Sequence, residues 1–111
     1  MRNLRFSSVV QHPQGQQRFL ARTSLASIQA YDEGRLTFPR LVADLKSRIA
    51  AMRSFADPAW ADELKSSWGR LEIVNAITID QRREPHQVEI EEIKEALEEL
   101  RLMLTGYQQE G

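Results

Sequence analysis

The chain has 111 residues, a net charge of −1 and 28% charged residues, which fits one folded soluble domain and excludes collagen-like and fully disordered classes. The sequence has no cysteine, which excludes disulfides, thiolate metal sites and cysteine nucleophiles and predicts a cytoplasmic protein. No apolar run approaches about 18 residues and the first residues lack the apolar core of a signal peptide, so we expect neither a membrane span nor export.

The start of the chain predicts a flexible or extended arm over residues 1–16, followed by a single helical domain over residues 17–111. A short β-branched run in this arm is followed by Pro13 and Gly15, which both interrupt regular structure. A short strand is the alternative, but it would lack a visible pairing partner. We therefore expect the first regular element to begin after the arm.

Two helices are predicted in the next part of the chain. The first covers about residues 18–32 and ends before Gly34, a residue type suited to helix C-termini. The second follows Thr37, whose hydroxyl can cap it, and has Pro39 in its first turn. The apolar residues at helical spacing are Phe19, Leu25, Ile28 and Tyr31 in the first, and Phe38, Leu41, Val42, Leu45, Ile49 and Met52 in the second.

The third predicted helix, over residues 57–80, holds both tryptophans. Asp57 can cap it, and Pro58 suits the first position because the N–H that proline lacks would have no intrahelical partner there. Gly69 either divides the segment or lets a neighbouring helix approach closely, and the unbroken apolar spacing favours one continuous helix. The predicted apolar stripe consists of Trp60, Leu64, Trp68, Leu71, Val74, Ala76 and Ile77.

The last predicted helix covers residues 85–104. Pro85 disfavours helical geometry in the residue before it, and Gly106 is placed to end the helix. Its apolar seam, at alternating spacings of three and four, consists of Ile90, Ile93, Leu97, Leu100 and Leu104. Short connections join the four segments, so we predict an all-α fold, an antiparallel up-and-down four-helix bundle.

The sequence contains no recognisable catalytic constellation. Its two histidines, His12 and His86, have no orienting partner nearby, and no histidine follows a glutamate at the Glu-x-x-His spacing of di-metal bundles. Gly-rich phosphate loops and the Ser-x-x-Lys and G-x-S-x-G motifs are absent. We therefore predict a protein that is not an enzyme and has no metal or cofactor. A deep pocket lined by Glu72, Asn75 and Asp80 would instead favour an enzyme.

The charge is divided unevenly along the chain. Residues 1–56 carry nine Arg or Lys against three acids, a balance of +6, whereas residues 57–111 carry six against thirteen, a balance of −7. The two halves either pack together, so that their surface fields partly cancel, or present an acidic C-terminal face to a basic partner. The glutamates of the last helix, whose repulsion Lys94 and Arg101 relieve in part, are either a solvated helix face or a field of unpaired carboxylates that attracts a basic protein. The candidate partner-binding residues are Glu91, Glu92, Glu95, Glu98, Glu99, Asp62, Glu63 and Glu72.

Other roles fit parts of the same pattern. The arginines of the first half suit nucleic acid, but no base-reading helix-turn-helix pattern accompanies them, and the carboxylates repel phosphates. The seam of the last helix or the apolar stripe of the first could pair across a two-fold axis, which would make the chain a self-associating structural or adaptor protein. Trp60 and Trp68 are expected in the core, whereas an exposed tryptophan would favour an interface.

The stretch YDEGRLTFPRLVADLKSRI, followed by W-x7-W-x2-LEIVNAITID, resembles small helical immunity proteins that accompany bacterial polymorphic or contact-dependent toxins. The similarity covers residues 31–80, with an interhelical Tyr-x-x-Gly, a Leu-Val-x-x-Leu helix and a tryptophan-bearing helix that contains Leu71 and Glu72. It implies a non-catalytic protein that binds a cognate toxin domain and blocks it, often with acidic side chains against a basic nuclease site. No individual binding residue is carried over by this resemblance.

Overall fold

The chain folds into four helices, as seen in a computed structural model that describes the backbone of residues 13–110 and the side chains of residues 15–106. The helices are α1 (Pro13–Asp32), α2 (Phe38–Met52), α3 (Pro58–Asp80) and α4 (Gln87–Glu110). Within residues 13–110 the chain forms no strand. The predicted all-α class is therefore confirmed.

Capping side chains confirm the predicted starts of α2 and α3. The Thr37 hydroxyl accepts a hydrogen bond from the backbone N–H of Arg40 at 3.3 Å, and the Asp57 carboxylate accepts one from the N–H of Trp60 at 3.1 Å. A proline lies in the first turn of each helix. Each cap satisfies one of the backbone donors that have no partner at a helix start, which is why local sequence was enough to predict both positions.

α1 begins earlier than predicted. It starts at Pro13, so residues 13–16, which the sequence analysis assigned to the arm, are helical. Proline is well tolerated in a first helical turn, where its missing N–H costs no hydrogen bond. Residues 1–12 of the predicted arm lie outside the described residues. The predicted end at Gly34 is confirmed, because this residue has a φ of 78° and the next N–H, that of Arg35, donates to the Ala30 carbonyl at 2.8 Å.

α4 is longer at its C-terminus than predicted. It begins at Gln87, two residues after Pro85, and continues through Gly106 to Glu110. The prediction that Gly106 ends the helix is wrong. A glycine permits the left-handed turn that closes many helices but does not impose it, and here the chain stays helical.

The helices form a ring in which each packs on two neighbours, α1 on α2, α2 on α3, α3 on α4 and α4 on α1. The diagonal pairs make no close contact among the described residues. The end of α1 lies beside the start of α2, where the Tyr31 and Phe38 rings have centroids 5.9 Å apart. Arg53, just after α2, pairs with Asp62 near the start of α3 at 3.1 Å. The antiparallel up-and-down four-helix bundle is confirmed.

All four helices contribute to an aliphatic core. The buried core residues are Ala21, Ile28, Leu41, Val42, Leu45, Ile49, Met52, Leu64, Leu71, Val74, Ile93, Ala96, Leu97, Leu100 and Leu104. Trp60 and Trp68 are half-buried and pack against this core, as predicted. The indole N–H of Trp68 donates to the Val42 carbonyl at 3.0 Å, which satisfies its polar atom.

Some residues predicted to face the core lie on the surface instead. Phe19, Ala76 and Ile77 are exposed. The reason is that some of the buried positions of the helices hold polar residues. A prediction that follows the spacing of apolar residues does not find these positions. These buried polar residues are Gln17, Ser24, Ser27, Ser67 and Thr78. Ser24 and Thr78 donate to carbonyls of the preceding turn at 2.7 and 2.9 Å, so that their hydroxyls are satisfied inside the bundle.

Candidate partner-binding surface

Three of the predicted carboxylates of α4 converge on one arginine of α3. The Arg70 guanidinium contacts Glu92 at 2.6 Å, Glu99 at 2.9 Å and also Glu95. These glutamates follow one another at spacings of three and four residues, so α4 presents all of them on the side that faces α3. The sequence analysis missed Arg70, because its pairing depends on the register between two helices and leaves no local signal.

The hydrogen bonds in this cluster favour the charged forms of its members. Hydrogen bonding to Arg70 lowers the pKa of Glu92, and hydrogen bonds to Glu92 and Glu95 raise the pKa of Arg70 further above its usual value. The Ser67 hydroxyl adds a hydrogen bond to Glu99 at 2.9 Å. The expectation of unpaired carboxylates is therefore wrong for these three glutamates. Their role in partner binding stays a prediction.

The other two predicted carboxylates of α4 are less tightly held. Glu98 pairs at 3.1 Å with Arg101, which also pairs with Asp32 of α1 at 2.5 Å. Glu91 accepts a single long hydrogen bond, from Gln87 at 3.4 Å. Arg70 and Arg101 bind four of the five predicted carboxylates of α4, and with Lys94, which lines a groove together with Glu98 and Arg101, the balance of these groups is −2. This side of α4 therefore remains acidic after its ion pairs are counted.

The second predicted group, on α3, is not brought together. Asp62 pairs with Arg53 of the α2 end. Glu72 lies two residues after Arg70, about 200° around the helix from it, and makes no ion pair with the described residues. Glu63 borders a shallow groove that Glu99 of α4 also lines. Of the three acids, only Glu63 joins the acidic side of α4.

Exposed aliphatic side chains extend the same surface toward the connection between α3 and α4. Ile73 and Ile77 follow Arg70 by three and seven residues, and Val88 precedes Glu92 by four, spacings that place all three on the side of the cluster. Ile73 is 62% exposed and Val88 76%. We call this surface the outer face, defined by Arg70, Ile73, Ile77, Val88, Glu92, Glu95 and Glu99.

The connection between α3 and α4 is held by a bidentate ion pair. Arg83 donates to both carboxylate oxygens of Glu89, at 2.8 and 2.9 Å, and the backbone N–H of His86 donates to the same carboxylate at 2.8 Å. These bonds, that from Arg83 first, lower the pKa of Glu89 to about 2. Arg82, beside them, has a positive φ of 52° and makes no ion pair with the described residues. The loop therefore has a defined shape, and Arg82 lies within two residues of Asp80 and Glu84, acids that also make no ion pair with the described residues.

A groove of about 920 Å³ lies between the α1–α2 connection and α4. Its lining includes Tyr31, Phe38, Ile90, Lys94 and Arg101. None of the residues that the enzyme alternative required, Glu72, Asn75 and Asp80, belongs to this lining. The groove thus does not support that alternative.

Within the described part of the chain, no three His, Cys, Asp or Glu side chains are placed to hold a metal ion. No helix among residues 13–110 combines the length and hydropathy that crossing a bilayer requires. The chain matches no protein-family model, no curated protein and no solved structure. The outer face is therefore the feature of the described residues that bears most directly on function.

Proposed function

We propose that this chain is a non-catalytic protein-binding module of the cytoplasm, and specifically an immunity protein that neutralises a bacterial toxin by binding a basic surface of its toxic domain. The outer face is the observation that supports this proposal. It combines exposed aliphatic side chains with a row of carboxylates, and a contact region with an apolar centre and a charged rim is typical of protein interfaces.

The charge of the outer face suits a basic partner. The acidic side of α4 keeps a balance of −2 after Arg70, Lys94 and Arg101 are counted, which raises the association rate of a cationic protein. Arg70 also fixes the side chains of three glutamates in one arrangement. Fixing them before binding reduces the conformational entropy that binding would otherwise cost.

The test is neutralisation of the C-terminal domain of a secreted protein encoded beside this chain. We expect co-expression to restore growth of cells that produce this domain, and the two purified proteins to bind more tightly at low salt. The double substitution Glu91→Lys with Glu95→Lys should weaken binding at least about tenfold, because it replaces attraction by repulsion in the acidic row. The control is Glu33→Lys, an exposed change just after α1, compared with the single substitution Glu95→Lys so that both variants alter the net charge by the same amount.

Two results would contradict the proposal. One is growth inhibition that this chain leaves unchanged although the two proteins are produced together. The other is binding that neither salt nor the double substitution alters, since the acidic mechanism requires both to weaken it.

A further inference from the structure

We propose that a pit between α2 and α3 binds a small aromatic carboxylate. The volume of the pit is about 190 Å³. Its lining consists of Lys46, Ile49, Ala50, Arg53, Lys65 and Trp68. None of these residues belongs to the outer face, and Trp68 lies about 200° around α3 from Arg70. The ligand and the proposed toxin therefore occupy different surfaces, and each binds or fails to bind without the other.

The interior of the pit is apolar. Ile49 is only 4% exposed, and the half-buried indole of Trp68 lies beside it. The indole N–H already donates to the Val42 carbonyl at 3.0 Å, which holds the ring in place and satisfies its polar atom. Ala50 adds only a methyl group. The part of the ligand that enters the pit must therefore be apolar, because a polar group would lose its hydrogen bonds to water there.

The size of the pit suits a single ring. A cavity of about 150 Å³ is large enough for benzene, and the pit measures about 190 Å³. Ala50 leaves this space, because the residues one turn before and after it on α2, Lys46 and Arg53, have long side chains. The pit therefore has room for a phenyl ring and the carbon next to it, but not for an extended chain.

Cations from both helices border the mouth of the pit. Lys46 and Arg53 of α2 lie on the same side as Ala50, and Lys65 lies across from them on α3. Neither lysine makes an ion pair with the described residues. The one acid of α2, Asp44, lies about 200° around the helix from Lys46. A carboxylate at the mouth can therefore bind lysine ammonium groups while the attached ring stays inside the pit.

The acids of α3 reduce this positive charge without cancelling it. Asp62 pairs with Arg53 at 3.1 Å, so the three cations of the lining and Asp62 leave a balance of +2. Glu72 lies seven residues after Lys65 on the same side of α3, and Asp57 eight residues before it, about 10 and 12 Å along the helix. Charges at such distances are largely screened at physiological ionic strength. The balance stays at +1 even when Glu72 is counted.

Other occupants match the pit less well. A metal cation would be repelled by the positive mouth. A nucleotide base would carry polar edges into an interior that offers them no hydrogen-bond partner. The last residue of a protein also combines an apolar side chain with a carboxylate, but its peptide N–H would meet only donors at the mouth. A ring with one carboxylate and no further polar group fits both the interior and the mouth.

The experiment is a titration of the isotope-labelled chain with sodium phenylacetate, followed by two-dimensional NMR. We expect the indole N–H signal of Trp68 and the backbone signals of Ile49 and Ala50 to shift, with a dissociation constant of about 1 mM for a ligand of this size. Phenylacetamide has the same ring but no charge. It should bind at least about fivefold more weakly, because it gains nothing from the cations of the mouth.

Two pairs of variants test the lining. Ala50→Leu fills the pit without changing any charge and should raise the dissociation constant at least about tenfold. Its control is Ala51→Leu, the same change at an exposed residue of α2 outside the lining. Lys65→Gln should raise the constant about threefold, whereas Lys94→Gln, which removes a lysine of α4 that also makes no ion pair with the described residues, should leave it unchanged. Circular dichroism verifies that all four variants keep their helices.

An indole signal of Trp68 that does not shift up to about 20 mM phenylacetate would overturn the proposal. Equal affinities for phenylacetate and phenylacetamide would do the same, as would equal effects of the two variants in either pair. N-acetylphenylalanine, which resembles the last residue of a protein, tests the source of the carboxylate. If it binds more tightly than phenylacetate, the pit takes a protein C-terminus and the assignment to a small molecule is wrong.

Discussion

Glu89 connects the start of α4 to the end of α3 through three hydrogen bonds. Two come from the Arg83 guanidinium and one from the backbone N–H of His86, the residue just before α4. The last bond is one half of a capping box, in which the third residue of a helix accepts from the residue that precedes the helix. The carboxylate thus fixes both the loop and the helix start.

Glu89 should make stability depend on pH in the acidic range. Its pKa is about 2 in the folded chain, below the ordinary 4.5. The unfolded chain therefore binds more protons between these values, and the free energy of unfolding falls as the pH is lowered from 4.5 toward 2. We expect Glu89→Gln to lower the melting temperature at neutral pH and to flatten its decline over this window.

Thermal unfolding followed by circular dichroism checks this prediction. Glu91→Gln is the matched control, because Glu91 is exposed and accepts only the long hydrogen bond from Gln87. Equal slopes of melting temperature against pH for Glu89→Gln and the unsubstituted chain would contradict the assignment.

At the scale of the helices, α3 runs without interruption through Gly69. A Cβ atom added at this position would have no heavy atom within 4 Å. Of the two explanations considered for this glycine, division of the helix and close approach of a neighbour, the structure therefore supports neither. Gly69 is a helix-weakening residue in open space.

We expect Gly69→Ala to raise the free energy of unfolding by about 0.5–1 kcal/mol, because alanine loses less backbone entropy in a helix. Gly34→Ala should lower it by about 1 kcal/mol, since the φ of 78° is unfavourable for a residue with a Cβ atom. Urea unfolding of both variants measures the two changes. Destabilisation by Gly69→Ala would show that the position is more constrained than the open space around it implies.

The helix starts at Thr37 and Asp57 could be predicted from the sequence because a cap involves only neighbouring residues. The buried face of α1 could not. Its buried positions include Ser24 and Ser27, and Ser27 accepts a hydrogen bond from Arg48 of α2, a partner that only the folded chain provides. The outer face was missed for the same reason. The carboxylates of α4 were predicted as candidates, but their convergence on Arg70 depends on how α3 and α4 are aligned.

At the scale of the molecule, Arg70 limits repulsion among the carboxylates that α4 presents to α3. We expect Arg70→Met to lower the melting temperature by about 3–6 °C at low ionic strength, because three glutamates then lie together without their shared cation. Added salt should reduce the difference, since it screens exposed charges.

The control for this change is Lys94→Met, which removes a cation of α4 that has no ion pair with the described residues. Melting curves at several salt concentrations compare the two variants. Equal changes in melting temperature for Arg70→Met and Lys94→Met at every salt concentration would contradict this prediction. The contacts of Arg70 with three glutamates would then add nothing to stability beyond the effect of one positive charge.

The ring arrangement of the helices also separates the charges across the bundle. α2 carries Arg40, Lys46 and Arg48 against one acid, the glutamates of the outer face lie on α4, and these two helices occupy opposite corners of the ring. Among the described residues, only two ion pairs, Arg53 with Asp62 and Arg101 with Asp32, join the basic half of the chain to the acidic half. A molecule whose charges almost balance thus has an electric dipole moment directed across its long axis. An approaching charged body exerts a torque on this dipole and turns the bundle before the two surfaces touch.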